Sequence, residues 1–197
     1  MMLIEVTMVP DGALPVEQFK AHLRLGSGFG EDSVQDAVLV SFLRAALTAV
    51  EARTSKVLIE REFSLSLTQW AEADSQAIPV APVTAVTGVT LVSRAGDPSV
   101  VDSDTFWLER DTHQPRLRSV GACLPTIPVS GSAQVAFRAG YVVDWAGVPA
   151  DLAQAVVLMA AHYYEFRNET TLSAGCMPFG VTSLIERYKV MRLGGAR

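Results

Sequence analysis

Apolar residues recur every three or four positions towards both ends of the chain and every second position in its middle. In "PVEQFKAHLRL" Pro15 suits a first helical position, and Val16, Phe19 and Leu23 share one side. That spacing predicts a short amphipathic helix over about 15–25. "GSGFG" at 26–30 breaks the pattern. Asp32 or Ser33 can then cap a longer helix, "SVQDAVLVSFLRAALTAVEARTS", ending near Thr54. Its predicted core stripe is Val34, Val38, Phe42, Ala45, Ala49 and Ala52.

From Arg61 the period changes. "REFSLSLTQW" sets Phe63, Leu65 and Leu67 against Ser64, Ser66 and Thr68, the alternation of a half-buried strand. Further strands are predicted at 86–94, 105–109, 115–120 and 133–142, separated by "IPVAPV", "AGDPS" and "PTIPVSGS". Helical spacing returns at "VPADLAQAVVLMAAHYYEFRNET", where Pro149 and Asp151 make a good start. A last helix is predicted from about Thr182 to Met191, with Leu184, Ile185 and Tyr188 on one face. The predicted class is α+β. Residues 1–57 and 148–197 supply two helices each to a four-helix core, and 58–147 form an inserted β-rich module.

Composition sharpens this picture. The 197 residues are 49% hydrophobic and only 19% charged. The longest apolar run, Ala155–Ala161, is far too short to span a membrane. "MMLIEVTMVP" lacks the basic region and long apolar core of a signal peptide, which predicts a cytosolic chain. Apolar excess without a membrane segment hints at surface covered by partners. A net charge of −5 argues against broad binding to DNA or to an acidic membrane. Cys123 and Cys176 belong to no CxxC pair and are expected to be free thiols. Past Glu186 the chain carries Arg187, Lys189, Arg192 and Arg197 with no acid among them, either cations favoured at a helix C-terminus or a basic tail suited to docking.

Candidate chemistry is thin. "GSGFG" lacks a preceding strand and a Walker lysine, and Glu31 and Asp32 would repel a phosphate there. His22, His113 and His162 sit in separate segments without ligand-spaced companions, so no metal or cofactor is expected. No serine lies in a GxSxG turn. Asp102, Asp104, Glu109 and Asp111 could make a hydrolytic pair or a small-ligand site, but a solvated strand edge is the plainer reading. No enzymatic activity is expected.

The third predicted helix is the informative one. Leu152, Ala155, Val156, Met159, Tyr163 and Phe166 form one apolar stripe on a helical wheel. The opposite side carries Gln154, Val157, Leu158, Ala161, Tyr164 and Asn168, which is no solvated surface either. A helix apolar on both sides is buried on both sides. The outward side is therefore expected to be a protein contact through Val157, Ala161, Tyr164, Arg167 and Asn168, with Tyr164 and Arg167 as anchors.

Taken together, "PVEQFKAHLRL", "FLRAALTAVEARTSKVL", "IPVAPVTAVTGVTLV", "PRLRSVGACLP", "VAFRAGY", "VPADLAQAVVLMAAHYYEFRNET" and "PFGVTSLIERYKVMRLG" follow one another in a familiar order. The chain resembles the head–tail connector (adaptor) proteins of tailed double-stranded DNA bacteriophages and gene transfer agents. The resemblance implies a ring of twelve copies beneath the portal protein, in the neck of a particle assembled in the bacterial cytoplasm. It implies that DNA passes through the ring without specific binding and that a tail-side stopper or completion protein docks below. It also implies that Met191, Arg192, Leu193 and Arg197, in the segment Met191–Arg197, reach the portal. It carries over no catalytic residue. The glycine-rich loop at 26–30 and Cys176 in the 170–177 loop depart from the family pattern.

Overall fold

The computed structural model describes residues 1–25, 32–167 and 177–189, without the side chains of 32–34. The "GSGFG" loop, Cys176, Asn168 and the segment Met191–Arg197 lie outside the described residues, and so do the expectations placed on them. The described residues form two compact units. One comprises Met1–Met8 and Ile59–Val143, the other Val9–Leu58 and the chain from Asp144 onward.

The first unit is β-rich. Its larger sheet is antiparallel, in the order β1 (Met2–Glu5), β2 (Arg61–Leu67), β8 (Ser132–Ala139), β4 (Val83–Val92) and β5 (Pro98–Val100). A second antiparallel sheet orders β3 (Ser75–Ala77), β7 (Arg116–Ser119) and β6 (Phe106–Glu109). The predicted alternation sets the register: Phe63, Leu65 and Leu67 of β2 and Ala133, Val135, Phe137 and Ala139 of β8 are all buried. Phe63 lies opposite Phe137, their rings stacked with centroids 5.5 Å apart. A slip of one residue would turn this whole apolar set to water.

Three strands were not expected. β3 and β5 have three residues each, too few to display a period. β1 falls in residues 1–57, assigned from the sequence to the helical core; instead it pairs with β2, Met2 opposite Ser66 through Glu5 opposite Phe63. The division at the N-terminus is corrected accordingly. Arg61 fastens β1: its guanidinium pairs with the Glu5 carboxylate at 2.7 Å and lies over the Phe63 ring.

The second unit contains four helices among the described residues: α1 (Val16–His22), α2 (Asp32–Thr54), α3 (Ala150–Glu165) and α4 (Phe179–Ile185). α4 begins three residues before its expected start and passes into a single 3-10 turn, Glu186–Tyr188. α2 packs on α3, α3 on α4, and α1 touches both α2 and α3. Lys20 of α1 bridges Glu17 and, at 2.6 Å, Asp36 of α2, whose hydrogen bond raises the lysine pKa. Arg44 of α2 donates to the Val9 carbonyl at 2.8 Å and pairs with Asp11. α2 ends where Ser55 turns left-handed, with the Thr54 hydroxyl bonded to the Val50 carbonyl.

The α2 stripe needs correcting. The buried residues are Leu39, Leu43, Ala46, Leu47 and Val50, whereas Val38 is 46% exposed and Ala45 and Ala52 face solvent. Both faces are apolar enough to fit helical spacing. The face with three leucines removes more apolar area from water than the alanine face, and it wins the core.

Gly140 ends β8 with φ +150°, and a Cβ there would lie 2.3 Å from the Glu60 Cα. Gly140→Ala is expected to destabilise the protein by roughly 2–4 kcal/mol in denaturant unfolding, since the clash is with main chain. Gly88→Ala, where an added Cβ meets nothing, should change stability by less than about 1 kcal/mol. Equal effects would contradict this account.

Candidate contact sites

α3 carries most of the residues singled out in the sequence. Its first stripe is placed as expected at Leu152, Ala155, Val156 and Met159, all buried. Tyr163 is only half-buried, and Phe166 is 38% exposed beyond the helix end and in ring contact with His162 at 4.7 Å. The second side differs from the expectation in what covers it. Val157 and Ala161 are buried within this chain, at 8% and 6% exposure. Tyr164 is half-buried, edge-on to Phe42 at 5.8 Å and to Phe19 at 6.5 Å. The helix is covered on both sides, as its composition demands, but by its own α1, α2 and α4. Val157 and Ala161 are therefore core residues rather than outward contacts, while Tyr164 joins an aromatic cluster with Phe19 and Phe42 and stays half-exposed.

Arg167 remains on the surface. Its guanidinium donates to the Tyr164 carbonyl at 2.7 Å and lies 4.5 Å over the Tyr164 ring. That arrangement holds the planar cation in one place, a form suited to pairing with a partner's carboxylate.

Sequence reasoning missed a clasp between α3 and the 3-10 turn after α4. Asp151 in the first turn of α3 accepts the Tyr188 hydroxyl proton at 2.7 Å and pairs with Arg187 at 2.8 Å. The helix N-terminus favours this carboxylate. Burial, more than any other influence, pushes the Tyr188 pKa up. Lys189 pairs with Glu186 at 2.6 Å. Arg187 and Lys189 are thus paired within the chain. The hint was available in the distribution of charge: an acid in the first turn of one helix and cations after the next.

Asp102, Glu109 and Asp111, three of the four acids singled out in the β unit, are occupied structurally. Asp102 accepts the Asp104 N–H at 3.1 Å, and Asp111 accepts the N–H groups of His113 and Gln114. Glu109 holds Arg118 at 2.7 Å, the main cause of that arginine's raised pKa. Glu72, lowered chiefly by the Ser75 hydroxyl, also meets Arg116. These are caps and cross-strand ion pairs. Among the described residues no three of His, Cys, Asp and Glu gather as a metal ion would require. No described helix is long and apolar enough to cross a membrane.

No protein-family model and no curated protein matches the chain. Solved structures do. A chain from the neck of an empty gene transfer agent particle, computed with C6 symmetry, is 49% identical over the full length of both chains, with a TM-score of 0.91. A chain from the neck of a native particle, computed with C12 symmetry, is 46% identical over the full length of both, with a TM-score of 0.86. A third, from the virion of a native gene transfer agent particle, is 48% identical, covering 100% of this chain and 99% of that one, with a TM-score of 0.87. Agreement of this kind over the whole length defines a class, the structural components of virus-like particles. Within it, the chain belongs to the family of gene transfer agent neck proteins.

Two outcomes are expected from this geometry. Val157→Asp should cost at least about 3 kcal/mol, because it leaves an unpaired charge inside the helical unit; an unchanged melting temperature would contradict the placement. Tyr188→Phe should cost about 1 kcal/mol near neutral pH. A folded-state tyrosine pKa raised above its unfolded value gives stability that is intact below the unfolded pKa and lost as pH rises through the folded one, so the loss lies above about pH 10. The gap between wild type and Tyr188→Phe should close as melting is followed from pH 8 to pH 11.

Proposed function

We propose that the protein is the head–tail connector of a gene transfer agent type of particle. Twelve copies form a ring under the portal, continue the DNA channel and receive the next tail-side component. The observation that carries this reading is the agreement, at 46–49% identity over whole chains, with chains of gene transfer agent necks, one of them computed with twelve-fold symmetry. Six-fold symmetry in the other is compatible with the same ring, since six divides twelve.

The chain's chemistry supports the reading. A net charge of −5 suits a channel wall that must not grip passing phosphate. The caps and ion pair occupying Asp102, Glu109 and Asp111 favour a role without turnover or cofactor over hydrolysis. In this proposal the four helices form the connector's core and the β unit is its inserted module. Arg167 and Asn168 serve as subunit contacts, and Met191–Arg197 docks on the portal. Val190, Met191 and Leu193 beside Arg192 and Arg197 suit a groove that is apolar and acidic. Assembly takes place in the host cytoplasm.

Light scattering and negative-stain imaging, with and without the portal, test the reading. The isolated protein should be monomeric or mixed and should form rings once portal is added. A tight dimer, independent of concentration and unchanged by portal, would overturn it. In the same system, deleting Met191–Arg197 should leave the melting temperature nearly unchanged and yield DNA-filled heads without tails; normal numbers of tailed particles would overturn the docking role.

A further inference from the structure

The larger sheet has two open edges, finished differently. At β5 the edge strand has only three residues, and its Pro98 has no N–H to offer a pairing chain. At β1 there is no such protection. "MLIE" contains no proline and no lysine, and its pairing with β2 runs without a bulge. The Val6 N–H donates to the Glu62 carbonyl at 2.8 Å. Bonds in an antiparallel pair recur at every second residue, so Leu3 and Glu5 direct their N–H and C=O groups away from β2.

The side chains along this edge are apolar and exposed on both faces of the strand. Met2, Leu3, Ile4 and Val6 keep between 36% and 57% of their surface in water. The strand's single charge, Glu5, is held by Arg61. The side chains of Met2–Val6 supply no cation for a nucleic-acid backbone, and their one charge is already paired with Arg61. A charge-free apolar edge fits a permanent protein contact, the kind most like a core cut in half.

We propose that the open edge of β1 is an intersubunit surface, seated against the neighbouring copy of this chain in the ring. The proposal rests on the ring reading above, which sets a second copy beside every subunit. Adjacent copies in a cyclic ring are related by rotation about its axis, so the contact is heterologous. Pairing of β1 with the neighbour's β1 would need a two-fold axis that such a ring lacks. β1 therefore meets a different surface of the next copy, and each subunit offers its β1 edge to one neighbour only.

Hydrogen exchange of the full-length protein, alone and in portal-assembled rings, tests this together with Ile4→Lys and Leu3→Lys. Both positions are exposed, so the variants should melt within a few degrees of wild type. The expected result is at least tenfold slower exchange in the Met1–Val9 segment on ring formation, and at least tenfold lower ring yield for either variant. Rings formed as readily by the variants, with exchange in that segment unchanged on assembly, would overturn the proposal and leave the ring reading standing. Variants that form normal rings but fail to hold the portal or the tail component would also overturn it, since the strand would then serve that partner. A wild-type chain that forms no ring with portal present would overturn both readings together.

Discussion

Helix α3 is apolar on two sides, and the rest of the helical unit answers that constraint. Leu152, Ala155, Val156 and Met159 on one side and Val157 and Ala161 on the other all require cover. At about 25 cal/mol per Å2 of apolar surface, either side left wet would weaken the unit by several kcal/mol. The cover comes from α1 and α2, which lie between β1 and β2 in sequence, and from α4, which follows α3. The helical unit is therefore built from two separate stretches of the chain, and the β unit likewise combines Met1–Met8 with Ile59–Val143. The clasp of Asp151 with Arg187 and Tyr188 fastens the last of these covering elements to the first turn of α3.

The β unit obeys a different rule. Its pairing is set by alternation, and Phe63 against Phe137 makes any slip expensive. Where β8 ends, the main chain passes too close to Glu60 for any side chain, which accounts for Gly140. Arg61 performs two tasks at the start of β2, lying over an aromatic ring and holding the Glu5 carboxylate. That second contact fastens a strand whose own sequence carries no turn or register signal.

Long periodic segments were legible for this reason: α2, α3, β2 and β8 each bury a regular stripe, and a regular stripe is visible in the residues. Three-residue strands such as β3 and β5 bury too little to leave a pattern. The α2 stripe was misplaced because leucines and alanines both recur at helical spacing, and only side-chain size decides which face is buried. The reading of Val157 and Ala161 as outward contacts failed differently. Periodicity states that Val157 and Ala161 must be covered and is silent on whether the cover is the same chain or another. The gene transfer agent particle was legible because an ordered set of weak motifs is specific even where no single residue is.

An apolar surface becomes evidence for a partner only after the chain's own elements have been given the chance to cover it. By that criterion the outward side of α3 drops out, since α1, α2 and α4 take it up. The edge of β1 stays in: β2 occupies one side of the strand, while Met2, Leu3, Ile4 and Val6 remain in water. The contrast with β5 carries the argument further, because the same sheet shows how an edge looks when pairing is discouraged. A short strand with a proline closes one end of the sheet, and a smooth apolar strand leaves the other ready to pair. A cyclic assembly needs two unlike surfaces on every subunit. One open strand without free charge supplies the first of them without requiring any change in the fold.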